Sequence, residues 1–328
     1  MTRHFLIAVL ALSFILPVMA TAQDAGTKQI AARMEVHSIP SVTLSDEQFL
    51  TGDASGKQVV VSAYLRIAQG SGRLPCVIML HGSGGMGPNL DLWTREFNEM
   101  GISTLAIDAF TGRGLTVVNV DQALLGRFTM VLDAYHALEI LAKHPRIDPS
   151  RIALMGFSRG GQATLYASLK RFNQMWNKSG IHFAAYLPFY PDCMTTYQSD
   201  TDVVDRPIRI FHGTSDDYNP VAPCKAYVER LKRAGRDVLL TEYPNAQHVF
   251  DNPLGSPTPS ILKNAQTVRR CVIREESPGK LTNMATGQVF SYKDSCVERD
   301  PHVGYDPAAT QAAKQSVKEV LKTVFKLN

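Results

Sequence analysis

Ser158 stands in Met-Gly-Phe-Ser-Arg-Gly-Gly, residues 155–161, with one glycine two positions before it and another two positions after. A serine hydroxyl is a poor nucleophile until a base takes its proton and a third group orients that base. The flanking glycines are what a sharp strand-to-helix turn requires, because side chains there would collide. An apolar run at 151–155 precedes the turn, and 162–169 can continue as a helix. An acid and a base should then follow at the ends of later strands. Phe211-His-Gly-Thr-Ser-Asp-Asp-Tyr-Asn-Pro offers Asp216, with Asp217 beside it as a competitor, and Tyr243-Pro-Asn-Ala-Gln-His-Val-Phe offers His248. Serine, acid and histidine in that chain order suit nucleophilic acyl transfer.

Such chemistry also needs backbone N–H groups aimed at a developing oxyanion. The glycine-rich stretch Met79-Leu-His-Gly-Ser-Gly-Gly-Met-Gly supplies one candidate, the amide of Ser83, and the residue after the nucleophile, Arg159, supplies the other. A phosphate cradle is the weaker reading of these glycines, since no Gly-Lys-Ser/Thr follows and the spacing is not Gly-x-Gly-x-x-Gly. Arg159 and Arg113 are the cations that could bind a substrate carboxylate.

These groups need a scaffold. Continuous apolar runs at 58–67, 75–80, 102–107, 151–155, 183–187, 207–211 and 238–242 are separated by helical patterns. Short runs apolar on both faces predict strands of a covered, mostly parallel sheet in an α/β fold. Leu124, Phe128, Val131, Tyr135 and Leu138 recur at helical spacing, and Asp306-Pro307 offers an N-cap and first-turn proline for a final helix. Residues 253–302 break the rhythm with prolines, a hairpin turn at Thr286-Gly287 and two cysteines. They read as an insertion within a single domain spanning 23–328.

The chain has 328 residues, 45% of them hydrophobic, and a formal net charge of +4 with no block of like charge, so no nucleic-acid partner is indicated. Arg3 precedes the apolar run 5–18, and Ala20-Thr-Ala22 follows, which predicts a signal peptide over 1–22 cut before Gln23. The run is short for a bilayer that needs roughly 20 apolar residues, so no stable membrane insertion is expected after cleavage. Export to the periplasm or the medium lets disulfides persist. Cys76 lies in a strand-like run and reads as a buried thiol. Cys193, Cys224, Cys271 and Cys296 allow three pairings, among which spacing does not choose. No cysteine or histidine spacing suits a metal, and no cofactor is expected.

Leu74-Pro-Cys-Val-Ile-Met-Leu-His-Gly-Ser-Gly-Gly, the elbow around Ser158, the Asp216 loop and the His248 loop together resemble the dienelactone hydrolase family of α/β-hydrolases. The likeness runs from about 58 to 250 and resumes in the last helix. It implies the α/β-hydrolase fold, Ser158 as nucleophile, His248 as base and Asp216, four residues before Pro220, as the acid in preference to Asp217. The namesake enzymes carry cysteine at the nucleophile position, so serine here shifts the chemistry toward a serine esterase. The exported form with its insertion resembles a periplasmic subgroup, which implies the pairs Cys193–Cys224 and Cys271–Cys296. The expected activity is hydrolysis of a small-molecule carboxylic ester or lactone through an acyl-enzyme. A peptidase or amidase on the same fold, and a secreted binding protein without catalysis, are the rival readings.

Overall fold

The computed structural model describes residues 28–327, so the predicted signal peptide lies outside the described residues. Strands β1 (Arg33–Thr43), β2 (Lys57–Ile67), β3 (Leu74–Leu80), β4 (Ser103–Asp108), β5 (Ile147–Phe157), β6 (Tyr186–Phe189), β8 (Ile208–Gly213) and β9 (Val238–Tyr243) form one eight-stranded sheet. A two-residue strand, β7 (Thr195–Thr196), lies outside it. The order is β1-β2-β4-β3-β5-β6-β8-β9; β1 and β2 are antiparallel to their neighbours, and the remaining pairs are parallel.

Helices α1 (Asp46–Thr51), α2 (Pro88–Glu99), α3 (Thr129–Ala142), α4 (Arg159–Tyr166), α5 (Lys170–Trp176), α6 (Val221–Arg233) and α7 (Pro307–Phe325) surround the sheet. Alternation along the strands shows why both faces must be covered. In β3, Cys76, Ile78 and Leu80 enter one buried cluster with α3 residues, while Val77 and Met79 enter another with Trp93, Phe97 and α7. Period-two strands buried on both sides can only be helix-covered sheet strands. The final helix begins as the sequence predicts: Asp306 accepts the Ala309 amide at 2.9 Å, with Pro307 in the first turn.

Residues 253–302 carry little regular structure. Strands β10 (Ser260–Ile261) and β11 (Gln266–Thr267) pair with β16 (His302–Val303) and β15 (Glu298–Arg299), two residues each. A small sheet of β14 (Gln288–Val289), β13 (Lys280–Asn283) and β12 (Ile273–Ser277) continues into β7, and the turn between β13 and β14 contains Thr286 and Gly287. The two disulfides are Cys193–Cys224 and Cys271–Cys296, as the resemblance implies, and Cys76 is a buried free thiol whose pKa burial pushes well up. Disulfides of this kind suit an oxidising compartment. No described helix is long and apolar enough to cross a membrane.

Candidate active site

Strand β5 runs into α4 through Ser158, whose φ of 54° and ψ of −113° are strained for any side-chain-bearing residue. The glycines make the turn possible. A Cβ on Gly156 would lie 2.1 Å from the Gly160 carbonyl oxygen, and one on Gly160 would lie 2.4 Å from that of Leu80. Backbone crowding therefore forbids any other residue at either place and drives Ser158 outward at the end of the sheet.

Asp216 follows β8, and His248 follows β9, so both loops open at the same sheet edge as the elbow. The three side chains meet. His248 Nε2 lies 2.9 Å from Ser158 Oγ, and His248 Nδ1 lies 2.7 Å from Asp216 Oδ2. With Nδ1–H donating to the carboxylate, the Nε2 lone pair faces the serine hydroxyl. The other carboxylate oxygen of Asp216 accepts the amides of Tyr218 and Asn219 at 2.9 and 2.8 Å. Burial opposes ionisation of Asp216, but the His248 and His212 imidazoles outweigh it and hold the carboxyl at about 2. The acid is therefore charged throughout the working range, and the imidazole between it and the serine can take a proton from the hydroxyl.

Asp217 points elsewhere. Its carboxylate accepts Arg269 Nη1 at 2.9 Å, and the His302 amide and ring at 2.7 and 2.9 Å. Both partners belong to the segment 253–302, and just beyond its end the Gly304 amide donates to the His248 carbonyl at 3.1 Å. Below that loop, fully buried Asp251 accepts Trp93 Nε1 at 2.8 Å and the Tyr190 hydroxyl at 2.6 Å. The histidine loop is thus tied to α2, to the residue that follows β6 and to the chain just after the segment.

The amides of Ser83 and Arg159 flank the serine. Neither N–H finds an acceptor among the described residues, and a Cβ on Gly82 would sit 3.3 Å from the Ser158 Cβ, so the Ser83 turn closes directly on the elbow. Two free amides beside a nucleophile form an anion-receiving arrangement.

A cavity of about 40 Å³ opens next to Ser158. Gln266, Val268 and Tyr292 of the segment form one wall, and Gln122, Gln162 and Asp192 contribute from the sheet side. Sequence reasoning missed these, because they come from loops without periodicity and far apart in the chain. Arg159 also lines the cavity, but Nε, Nη1 and Nη2 together make four bonds to Gln122 and the Leu125 carbonyl, which leaves one of five N–H groups unspent. The expectation for Arg113 is corrected. Its guanidinium is buried in a two-pronged pair with Asp133, at 2.8 Å on both prongs, and does not reach the cavity. A desolvated arginine is held by the nearest carboxylate, and Asp133 on α3 is that group.

Away from this edge, Glu35, His37 and His144 draw together, with both Nε2 atoms at 2.9 and 3.1 Å from one Glu35 oxygen. His144 Nδ1 accepts the Arg146 amide at 3.2 Å, so its Nε2 carries the proton and donates to Glu35. A metal ion there would need that lone pair, and the hydrogen bonds account for the cluster without one.

The family model described as the dienelactone hydrolase family matches residues 61–325. The chain is 32% identical over 106 residues to acyl-protein thioesterase 1 of Gibberella zeae, covering 31% of this chain and 43% of that protein. It is 25% identical over 136 residues to the uncharacterized peptidase YuxL of Bacillus subtilis, covering 34% of this chain and 20% of that one. The chain thus spans less than half the length of either curated relative. Among solved structures, a dienelactone hydrolase-like promiscuous phosphotriesterase from metagenomic libraries matches at a TM-score of 0.54 and 16% identity, over 89% of this chain and 98% of that one. At that identity the likeness speaks for the fold alone.

Proposed function

This chain belongs to the dienelactone hydrolase family, and on that premise we propose that it is a serine hydrolase that cleaves a small carboxylic ester or lactone through an acyl-enzyme. The observation that carries the reading is the pair of contacts that His248 makes, to Ser158 at 2.9 Å and to Asp216 at 2.7 Å. As Ser158 Oγ attacks the carbonyl carbon, its proton passes to His248 Nε2, and Asp216 stabilises the imidazolium. The amides of Ser83 and Arg159 receive the tetrahedral oxyanion. Collapse expels the alcohol, which takes the proton from His248; water then attacks the acyl-serine by the same route in reverse and releases the acid. The unspent N–H of Arg159 is available to a substrate oxygen. The two disulfides support action in an exported, oxidising setting, with residues 1–22 as the signal that sends the chain there.

A panel of nitrophenyl esters and matched anilides, run on wild type and Ser158→Ala, tests this. Ester turnover in the wild type and a loss of roughly 10⁴-fold or more in the variant are expected. Anilide turnover above ester turnover would make the enzyme a peptidase or amidase. Ester turnover that survives Ser158→Ala, or no labelling of Ser158 by a fluorophosphonate, would remove the serine from the chemistry.

A further inference from the structure

The cavity beside Ser158 holds an acid that the proposed triad does not use. Asp192 follows β6, in Pro191-Asp-Cys193, and its carboxylate lines the cavity. Its position is fixed from two sides. Gln162, one helical turn beyond Ser158 on α4, donates Nε2 to Asp192 Oδ2 at 3.1 Å, and the Met194 amide donates to Oδ1 at 2.7 Å. The next residue, Cys193, is bridged to Cys224 on α6. The carboxylate is therefore tied to the elbow helix and to a disulfide.

What this carboxylate lacks is donors. Its two oxygens can accept about four hydrogen bonds, and the chain supplies two, with no lysine, arginine or histidine nitrogen in ion-pair contact among the described residues. Burial raises its pKa, while the charges of Arg127 and Arg159 nearby hold that rise back. The acceptor positions left open call for N–H or O–H groups from the cavity side. The walls point the same way. Val268 and the rings of Tyr218 and Tyr292 give the cavity its apolar surface, and the other side chains that line it are polar or charged and offer hydrogen bonds to a substrate.

We propose that Asp192 is a specificity-determining residue that accepts hydrogen bonds from substrate hydroxyls, so that the preferred substrate is a compact hydroxylated ester without an anionic group beside the scissile bond. An alkyl group in that place would leave the carboxylate short of partners, and an anionic group would face it directly. This rests on the ester-hydrolase reading above.

The test compares kcat/KM for two matched pairs: glyceryl monobutyrate against propyl butyrate for the alcohol side, and nitrophenyl 3-hydroxybutyrate against nitrophenyl butyrate for the acyl side. Wild type is expected to favour the hydroxylated member of at least one pair by about tenfold or more, mainly through KM. Asp192→Asn replaces one acceptor oxygen with a donor, and the ratio should fall toward one. Ratios near one for both pairs in the wild type overturn the proposal, as does a ratio that Asp192→Asn leaves intact. The wild-type comparison needs no variant, so misfolding of Asp192→Asn does not shield the idea. Absence of any Ser158-dependent ester turnover would instead bring down the hydrolase reading, and this proposal with it.

Discussion

Asp216 and Asp217 are neighbours in the chain and belong to different regions of the molecule. Asp216 faces into the sheet edge, where two backbone amides and the His248 ring hold it. Asp217 faces the stapled segment and takes Arg269 and His302. The difference extends to each region as a whole. On the sheet side, Ser158 is aimed by backbone crowding around Gly156 and Gly160, and its neighbours descend from strands of four to eleven residues. The segment instead has strands of only two to five residues and relies on side-chain ties, the Cys271–Cys296 bridge and the guanidinium of Arg127 4.7 Å from the Phe290 ring centroid. Backbone crowding cannot relax without loss of the fold, whereas side-chain ties can be lost singly. The proposed reaction geometry therefore sits on the sheet side, and the segment supplies one wall of the cavity.

The same substitution at the two aspartates tests that division most severely. Asp216→Asn should lower kcat by roughly 10³- to 10⁴-fold, because the imidazole loses the partner that sets its tautomer. Asp217→Asn should change kcat by less than about tenfold and act through KM. Comparable kcat losses at both positions would show that the segment takes part in the chemistry. A smaller effect is expected from the double variant Cys271→Ser with Cys296→Ser. The bridge closes a loop of 25 residues, and its absence should cost about 3 kcal/mol in the chain-entropy model. Hydrogen exchange should quicken within 260–300 while the β3 and β5 amides stay protected; loss of protection in both regions together would make them one cooperative unit.

The smallest expected effect is on the pH dependence of stability. The Asp216 carboxyl is lowered from 3.8 to about 2. Its contribution is then fully present above the unfolded value and lost as pH falls through the folded one. Denaturant titrations of wild type at pH 5 and pH 3 should show a loss on the order of 1 kcal/mol that Asp216→Asn lacks. Equal losses in the two proteins would place the acid sensitivity elsewhere.

Most of the sheet was legible because strands buried on both faces leave continuous apolar runs. The run at 75–80 became Leu74–Leu80, and that at 102–107 became Ser103–Asp108. Strand β1 was missed for a physical reason: its pattern is inverted. Met34 and Val36 point outward, exposed, while Glu35 and His37 turn toward His144. Helix α3 begins at Thr129, five residues after the stripe that opens at Leu124, because Leu124 lies in a short 3-10 turn and is exposed. The elbow was legible from its glycines, since steric exclusion writes itself into residue type. Gln122, Asp192 and Gln266 were not, since loop residues that converge only in space leave no spacing to read. Arg113 was misjudged because a sequence does not show that Asp133, twenty residues on, waits to neutralise it.

Cys76 lies at the middle of the sheet with no solvent exposure. Five thiols emerge with the nascent chain, and an odd one can capture any of the others in a wrong partnership. Once β3 has docked between β4 and β5, an oxidant meets only the four that belong together. The folded sheet thus holds the odd sulfur out of reach of exchange with the two bridges.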